Sequence, residues 1–202
     1  MQIQKNSRQM PKTQKIISEK YYSDILYAYF QGISLRNETT NIRWFPKSMV
    51  NFSNLESVIG ISRQTISKKF KKLVELGLIA YQEEEDIYIL PNLNAADAFL
   101  IPFDTLRKMT NTLNENTIST YIYLINRYIA NNEQSFDFTL AGIKEFLGLG
   151  TKSNSNNYII IDILEVLSLL GLISYNLTTK RQGQSTEIKT YYHLNNISLT
   201  CK

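Results

Sequence analysis

Apolar residues recur at helical spacing in two runs between residues 52 and 79, with a glycine between the runs. Ser53 and Glu56 have the spacing of a capping box at the start of the first run. Gly60 suits the turn that follows, because glycine tolerates a positive φ. Ser62 can cap the second run. The pattern predicts two helices joined by a tight turn.

The second predicted helix is amphipathic, and Gly77 can end it. Its apolar face carries Ile66, Phe70, Leu73 and Leu76. Its opposite face carries Gln64, Ser67, Lys68, Lys71 and Lys72. A helix with an apolar back and a basic front, delivered by a short helix and a turn, suits the major groove of DNA. The alternative is that these lysines only solvate a helix surface.

Residues 52–90 resemble the helix-turn-helix and wing of winged-helix DNA-binding proteins, chiefly in the run from Ser62 to Ser67. In that family a β-hairpin follows the second helix, and here the apolar runs 78–81 and 87–90 flank a polar tip. Because the first turns of a reading helix reach deepest into the groove, the expected base readers are Arg63, Gln64 and Ser67. The expected phosphate contacts of this copy are Ser62, Thr65, Lys68, Lys71 and Lys72.

The tip of the predicted hairpin is acidic, with four consecutive acids at residues 83–86. Phosphates repel such a tip, so we expect the wing to point away from DNA or to contact a protein. A solvated turn that keeps the hairpin soluble is an equally good interpretation.

The chain before this motif predicts a flexible basic arm over residues 1–15, which include Arg8. The arm could lie along phosphates or enter a minor groove, or it could be an untethered terminus. A helix is predicted from Ile16 to Phe30, followed by a short strand before Pro46. The first domain is therefore predicted over 16–92, with a proline-bounded linker over 93–103.

The second part of the chain, 104–202, echoes the first. Helices are predicted from Asp104 to about Leu113 and from Asn116 to Ala130. The matching segments are residues 50–53 with 136–139, 55–61 with 143–149, and 77–81 with 171–175. Agreement at three places predicts a second copy of the same unit, with a longer turn over 150–157.

The second copy has different chemistry. Its third helix, Tyr158 to Leu170, is apolar nearly all round, which predicts burial on several sides in the fold or in a homodimer. In the turn before it, Lys152 could contact DNA, or the turn could be a solvated loop. The second wing tip is basic, and its Lys180 and Arg181 could bind phosphates.

Charge divides along the 202 residues. Residues 1–82 carry 13 Lys and Arg against 5 Asp and Glu, and residues 83–202 carry 9 against 13. A basic first part indicates a polyanionic partner. Because the apolar runs are too short to span a bilayer and Cys201 is the one cysteine, we expect a cytoplasmic protein with no membrane partner and no disulfide framework.

Catalytic and metal motifs are missing from the sequence. The one histidine, His193, has no partner of metal-site spacing, and Gly148-Leu149-Gly150 lacks a nucleotide-binding signature. We therefore expect a non-enzyme with no cofactor and no metal site.

The sequence thus predicts an α+β fold, mostly α, made of two tandem winged-helix domains that bind double-stranded DNA. Two such domains in one small chain resemble the replication initiators of plasmids and phages, which implies an initiator or replisome organiser that also contacts replication proteins. A transcriptional regulator of a mobile element, in contact with the transcription machinery, stays open. So does a tandem winged-helix scaffold that binds proteins, which the acidic first wing and the apolar helix of the second copy favour.

Overall fold

The computed structural model describes residues 7–11, 22–94, 97–150, 155–181 and 188–200, with only the backbone described at 155, 179–181 and 188–190. The chain divides into two compact units, Met1–Ile118 and Ser119–Lys202. Over the described ranges it is an α+β protein in which helices take up about half of the residues. The strands in those ranges form small antiparallel sheets.

The described elements of the first unit are β1 (Ser7–Pro11), α1 (Asp24–Ile33), β2 (Leu35–Arg36), β3 (Arg43–Pro46), a 3₁₀ turn (Lys47–Met49), α2 (Phe52–Ile59), α3 (Arg63–Glu75), β4 (Ala80–Gln82), β5 (Ile87–Leu90), β6 (Ala98–Pro102) and α4 (Phe103–Thr112). Helix α5 (Glu115–Ala130) begins in the first unit and continues into the second. The second unit adds β7 (Phe136–Phe138), α6 (Leu140–Phe146), α7 (Ser155–Leu169), β8 (Ile173–Arg181) and β9 (Ile188–Ile197).

The main sheet of the first unit has the strand order β2-β3-β5-β4. Strands β4 and β5 form the hairpin that the apolar runs predicted, and the short strand expected before Pro46 is β3, which pairs with β5. The pairing of Pro46 with Ile87 places the end of β3 beside the hairpin tip, and Arg43 pairs with Leu90 at the other end. The sheet therefore has a tip end and an opposite end.

The two helices of the central motif form as predicted, but the first has a different cap. Asn51, and not Ser53, caps α2, because its side-chain oxygen accepts hydrogen bonds from the backbone N–H groups of Ser53 and Asn54. The predicted capping box of Ser53 and Glu56 is therefore wrong. Helix α1 likewise begins at Asp24 under a cap from Ser23, eight residues after the predicted start, with 12–21 outside the described residues.

The predicted basic arm and the predicted linker pair with each other. Strand β1, from the arm, runs antiparallel to β6, from the linker, with Met10 opposite Phe99. Met10 is fully buried and Arg8 nearly so, because alternate residues of β1 face the interior. Residues 7–11 are therefore an integral strand and not a free arm, and residues 1–6 and 12–15 lie outside the described residues.

The second unit repeats part of the element order of the first, since α5, β7, α6, α7, β8 and β9 follow the order of α1, β3, α2, α3, β4 and β5. Its three-stranded sheet has the order β7-β9-β8, which matches β3-β5-β4. The turn after α6 contains Gly148 at φ 68°, as the turn after α2 contains Gly60 at φ 72°. The turns after α7 and α3 match in the same way, with Gly171 and Gly77 both at φ 68°. Helix α7 begins at Ser155, three residues before the predicted start.

The division between the two units lies further along the chain than the predicted linker 93–103. It falls after Ile118, inside α5, because β6 and α4 pack within the first unit. Helix α4 contacts α1, α2 and β1, so its burial completes the first core.

Candidate nucleic-acid interface

Helix α3 has a defined start and a defined end. Ser62 caps it by accepting the backbone N–H of Thr65, and the two hydroxyls of these residues lie 2.9 Å apart. The turn after the helix contains Gly77 in the left-handed conformation, where the N–H of Leu78 bonds to the carbonyl of Leu73. Both ends are thus set by local hydrogen bonds, which the sequence pattern predicted.

The apolar face of α3 lies in the core of the first unit, where Ile66, Phe70 and Leu73 are buried. Phe70 makes edge-to-face contacts with aromatic rings from three other elements: Phe30 of α1 at 5.4 Å, Phe52 of α2 at 5.8 Å and Tyr88 of β5 at 5.1 Å between ring centroids. Such ring pairs stabilise beyond the area that they bury. One side chain therefore fixes the rotation of α3 against the rest of its unit.

The opposite face of α3 presents the predicted readers to solvent. Arg63, Gln64, Lys68 and Lys71 are exposed, and Thr65, Ser67 and Lys72 are partly exposed. Lys72 also forms an ion pair at 3.5 Å with Glu75, one turn further along the helix. The eight predicted contacts of this helix and its cap thus lie on its solvent-facing surface, and the structure brings them together.

Lys69 has a different place, which the sequence did not predict. Its ammonium forms a largely buried ion pair with Glu115 at the start of α5, and Ser23, the cap of α1, donates to the same carboxylate. Glu115 therefore ties three helices of the first unit together. Its partners lie 46 and 92 residues away, so no local pattern could reveal them.

The acidic hairpin tip is partly neutralised from within. The ammonium of Lys47 lies 3.1 Å from the carboxylate of Asp86. It also donates a hydrogen bond to the hydroxyl of Tyr81 at 3.0 Å. Tyr81 in turn donates to Asp86. These hydrogen bonds raise the pKa of Lys47 and lower the pKa of Asp86. Glu83, Glu84 and Glu85 remain exposed at the tip, where they would repel phosphate.

The predicted contacts of the second unit are only partly described. Lys152 lies outside the described residues. Lys180 and Arg181 belong to β8 and pair with Lys189 and Ile188 of β9, and their side chains are likewise not described. Their proposed contacts with phosphate stay predictions.

The start of α7 is held by side chains of its own unit. Lys144, on α6, is almost fully buried and donates to the Asn157 side chain at 2.8 Å. Asn156 donates to the carbonyl of Gly150 at 3.2 Å. Lys144 lines a cavity of about 490 Å³ together with Thr139 and Tyr192. Sequence reasoning missed Lys144, because an isolated lysine in a short helix ordinarily faces solvent.

Helix α7 buries one side and leaves apolar residues on the other. Ile160, Ile163, Leu164 and Leu167 are buried, whereas Tyr158 is 72% exposed and Leu169 is 82% exposed. Leu177 of β8, 64% exposed, lines a groove of about 470 Å³ beside Leu169. The acids Asp162 and Glu165 are exposed on the same helix. The sequence predicted burial on several sides, and within this unit the burial is one-sided.

Two negative findings in the described ranges bear on the site. No group of three or more His, Cys, Asp or Glu is placed there to hold a metal ion. No helix in those ranges is both long enough and apolar enough to cross a membrane. His193 pairs with Asp137 across β7 and β9, with Nδ1 and Oδ1 at 2.7 Å.

Comparison with known proteins gives one weak similarity. No family model matches the chain, and no curated protein matches it. A structure described as the crystal structure of Pi initiator protein in complex with iteron DNA is similar at a TM-score of 0.44 and 10% sequence identity. The similarity covers 95% of this chain and 98% of that one. A likeness of this strength does not assign a fold or a function.

Proposed function

We propose that this chain is a sequence-specific double-stranded DNA-binding protein built from two winged-helix domains, with α3 as the helix that reads the major groove. The observation that supports it most strongly is the division of α3 into two faces. Phe70 holds the apolar face in an aromatic cluster, and the polar and basic face is exposed. A reading helix needs this combination, because the backing fixes the position of the side chains that contact bases.

In this proposal Arg63, Gln64 and Ser67 contact base edges from the first two turns of α3. Arginine suits guanine and glutamine suits adenine in the major groove. Phosphates are contacted by Ser62, Thr65, Lys68, Lys71 and Lys72 around the helix, with Lys152, Lys180 and Arg181 contributing from the second unit. Lys69 is left out, because its charge is directed at Glu115.

The hairpin of the first unit has no DNA contact in this proposal. Its tip keeps three exposed glutamates after Lys47 has engaged Asp86. The first unit would therefore hold DNA through α3, without the second grip that a basic wing supplies. We propose no catalytic activity, cofactor or metal for the chain.

At the level of biology, we propose a replication initiator of a plasmid or phage, which binds repeated sites at an origin. The alternative is a transcriptional regulator of a mobile element. Footprinting on fragments of the source replicon distinguishes them. An initiator protects several direct repeats, and a regulator protects a single inverted repeat at a promoter.

A second candidate function is a scaffold that binds proteins. The exposed Leu169 and Leu177 of the second unit, which line one groove, favour it, because exposed apolar clusters mark interaction sites. Such a scaffold has no salt-sensitive affinity for DNA.

The salt dependence of DNA affinity tests the proposal against the scaffold. We expect affinity to fall steeply with salt for the wild type, and we expect Lys71→Ala to reduce the slope by about 1, because one phosphate contact is lost. The matched control is Lys108→Ala, an exposed lysine on α4, which leaves the slope unchanged. An absence of salt-dependent DNA binding by the wild type would reject the proposal in favour of the scaffold.

A further inference from the structure

Three arginines from separate segments of the first unit lie together at the end of the main sheet opposite the acidic tip. Arg36 of β2 and Arg43 of β3 are direct partners in the strand register. Directly opposed residues of antiparallel strands project on the same side of the sheet. Arg8 of β1 reaches the same place through shared partners. It donates to the Gln31 carbonyl, which also accepts from the Ser34 hydroxyl, and Arg43 donates to that hydroxyl at 3.4 Å. Burial first, and then the charges of Arg43 and Arg36, lower the pKa of Arg8 to about 10. Arg8 nonetheless remains charged at neutral pH.

This cluster has no acidic counterpart in the described part of the chain. The ion pairs recorded there involve none of the three arginines. Their recorded hydrogen bonds go to neutral acceptors. Arg8 donates to the carbonyls of Gln31 and Ser7, Arg43 to the hydroxyl of Ser34, and Arg36 to the side-chain oxygen of Asn41. Like charges directly opposite each other destabilise a strand pair, so this arrangement favours an anion supplied from outside.

The three side chains differ in exposure, and this difference gives the cluster a front and a back. Arg36 is exposed and Arg43 is partly exposed, so each keeps N–H donors available beyond its one recorded bond. Arg8 is buried behind them. Its guanidinium donates to the carbonyl of Gln31, and its Cζ lies 4.4 Å from the centroid of the Phe103 ring. A fixed charge behind two guanidinium groups suits a tetrahedral oxyanion, which accepts paired N–H bonds from arginine.

The acids of the first unit do not neutralise the cluster. Glu83, Glu84 and Glu85 belong to the hairpin tip, beside the pairing of Pro46 with Ile87, whereas Arg43 pairs with Leu90 at the opposite end. Glu38 lies in the exposed loop that joins β2 and β3, and no ion pair to the arginines is recorded for it among the described residues.

We propose that Arg36 and Arg43, backed by Arg8, form a phosphate-binding site that takes a backbone phosphate of nucleic acid outside the bases read by α3. The assignment to nucleic acid rests on the proposed function, whereas the affinity for phosphate does not. The site supplies the first unit with the second contact that its acidic hairpin cannot make.

Inorganic phosphate is the first probe. Arg36→Gln and Arg43→Gln are combined in one variant, which we expect to fold because it removes a like-charge pair. At constant ionic strength, replacing chloride by phosphate should shift the arginine side-chain NMR signals of the wild type and raise its thermal midpoint. The matched control, Arg107→Gln with Lys108→Gln on α4, should keep this response, and the double arginine variant should lose it. An equal response in the double arginine variant overturns the proposal.

DNA is the second probe, and it identifies the source of the phosphate. We expect the double arginine variant to lower the salt slope of DNA binding by about 2 while its preference among sequences stays unchanged. A variant that loses the phosphate response but keeps the wild-type slope overturns the assignment to nucleic acid. If α3 variants such as Gln64→Ala keep the full wild-type sequence preference while this slope change persists, the proposed function fails and the phosphate site stands.

A second copy of the chain is the competing occupant, since its glutamate tip could bind the arginines. Sedimentation decides between them. The second variant in this comparison carries Glu83→Gln, Glu84→Gln and Glu85→Gln together. If the wild type is an oligomer and both this variant and the double arginine variant are monomers, the arginines bind carboxylates of another copy and the phosphate proposal fails. If the wild type and both variants sediment with the same molecular mass, the result supports the phosphate-binding site.

Discussion

The two helix pairs of this chain, α2 with α3 and α6 with α7, share their order of elements and differ in their surfaces. In the first, α3 turns a basic and polar face to solvent and its hairpin ends in glutamates. In the second, α7 exposes apolar residues and two acids, and the residues at the end of its hairpin, Lys180 and Arg181, are basic. A glycine at φ 68–72° follows each of the four helices in both regions.

This difference shows that the scaffold and the chemistry are set by separate positions. The scaffold depends on buried apolar residues and on the glycines of the turns, which recur in both copies. The binding properties depend on the exposed residues, which do not recur. A repeated fold is therefore no reason to assign both helices the same partner.

The largest expected effect comes from the central residue of each third helix. Phe70 of α3 corresponds in the repeat to Leu164 of α7, and both are buried. We expect Phe70→Ala to lower the free energy of unfolding of the first unit by about 3–5 kcal/mol, because a large cavity replaces the ring. Leu164→Ala should cost the second unit about 2–5 kcal/mol.

Denaturant unfolding separates these two effects. The single tryptophan, Trp44, lies on β3, so its fluorescence reports the first unit, and circular dichroism reports both. Phe70→Leu is the control, since it keeps most of the apolar volume and should cost less. If Phe70→Ala shifts the fluorescence transition by less than about 1 kcal/mol, Phe70 does not anchor α3.

The turn glycines should give a smaller effect that is equal in the two copies. A Cβ at Gly60 or Gly148 meets no atom within 4 Å, so the cost of alanine comes only from the positive φ. We expect Gly60→Ala and Gly148→Ala each to cost about 1–2 kcal/mol in thermal unfolding.

Gly32, inside α1, is the opposite control. It also has open space around its Cβ position, but its φ is helical, so alanine should stabilise by about 1 kcal/mol. Unequal costs at Gly60 and Gly148 would show that the two turns are not equivalent.

The buried lysine of the second unit should give an effect near 1 kcal/mol. Lys144→Met keeps the aliphatic stem but removes the hydrogen bond to Asn157, which should cost about 1 kcal/mol in thermal unfolding of the second unit. Asn157→Asp keeps the acceptor and adds a charge that attracts Lys144, so it should unfold at or above the wild-type temperature. An Asn157→Asp variant as unstable as Lys144→Met would show that this bond does not hold the start of α7.

The smallest effect belongs to the hairpin tip of the first unit. The pKa of Asp86 is lowered by the hydrogen bonds from Tyr81 and Lys47, so the folded state binds its proton less tightly than the unfolded chain. Its contribution to stability is therefore present above the unfolded pKa and is lost as pH falls through the folded pKa. Asp86→Asn should be slightly less stable than the wild type at neutral pH, by an amount that disappears on acidification. A difference that persists in acid would assign the effect to packing.

The sequence predicted the local parts of this fold. Ser62 and Gly77 mark the ends of α3 through bonds to residues within a few positions, so the pattern located this helix correctly. Asn51 and Ser53 can both cap a helix, and the choice between them depends on geometry that composition does not contain.

Long-range contacts were not predictable from the pattern. The sequence pattern predicts a free arm at β1, because its partner β6 lies about 90 residues away and has no signature of its own. The same holds for the ion pair of Lys69 with Glu115 and for the meeting of Arg8 with Arg36 and Arg43. For α3, the sequence identified the exposed candidate residues, but it did not reveal that Lys69 forms an ion pair with Glu115 inside the unit.

Base recognition by α3 is the central claim, and one comparison of variants tests it most directly. Affinities of Gln64→Ala and of Gln134→Ala, an exposed glutamine in the second unit, are measured on the preferred site and on a scrambled duplex at one salt concentration. Gln64→Ala should lose about 1–3 kcal/mol on the preferred site and little on the scrambled one, and Gln134→Ala should match the wild type on both. If Gln64→Ala keeps the full wild-type preference, α3 does not read DNA as claimed.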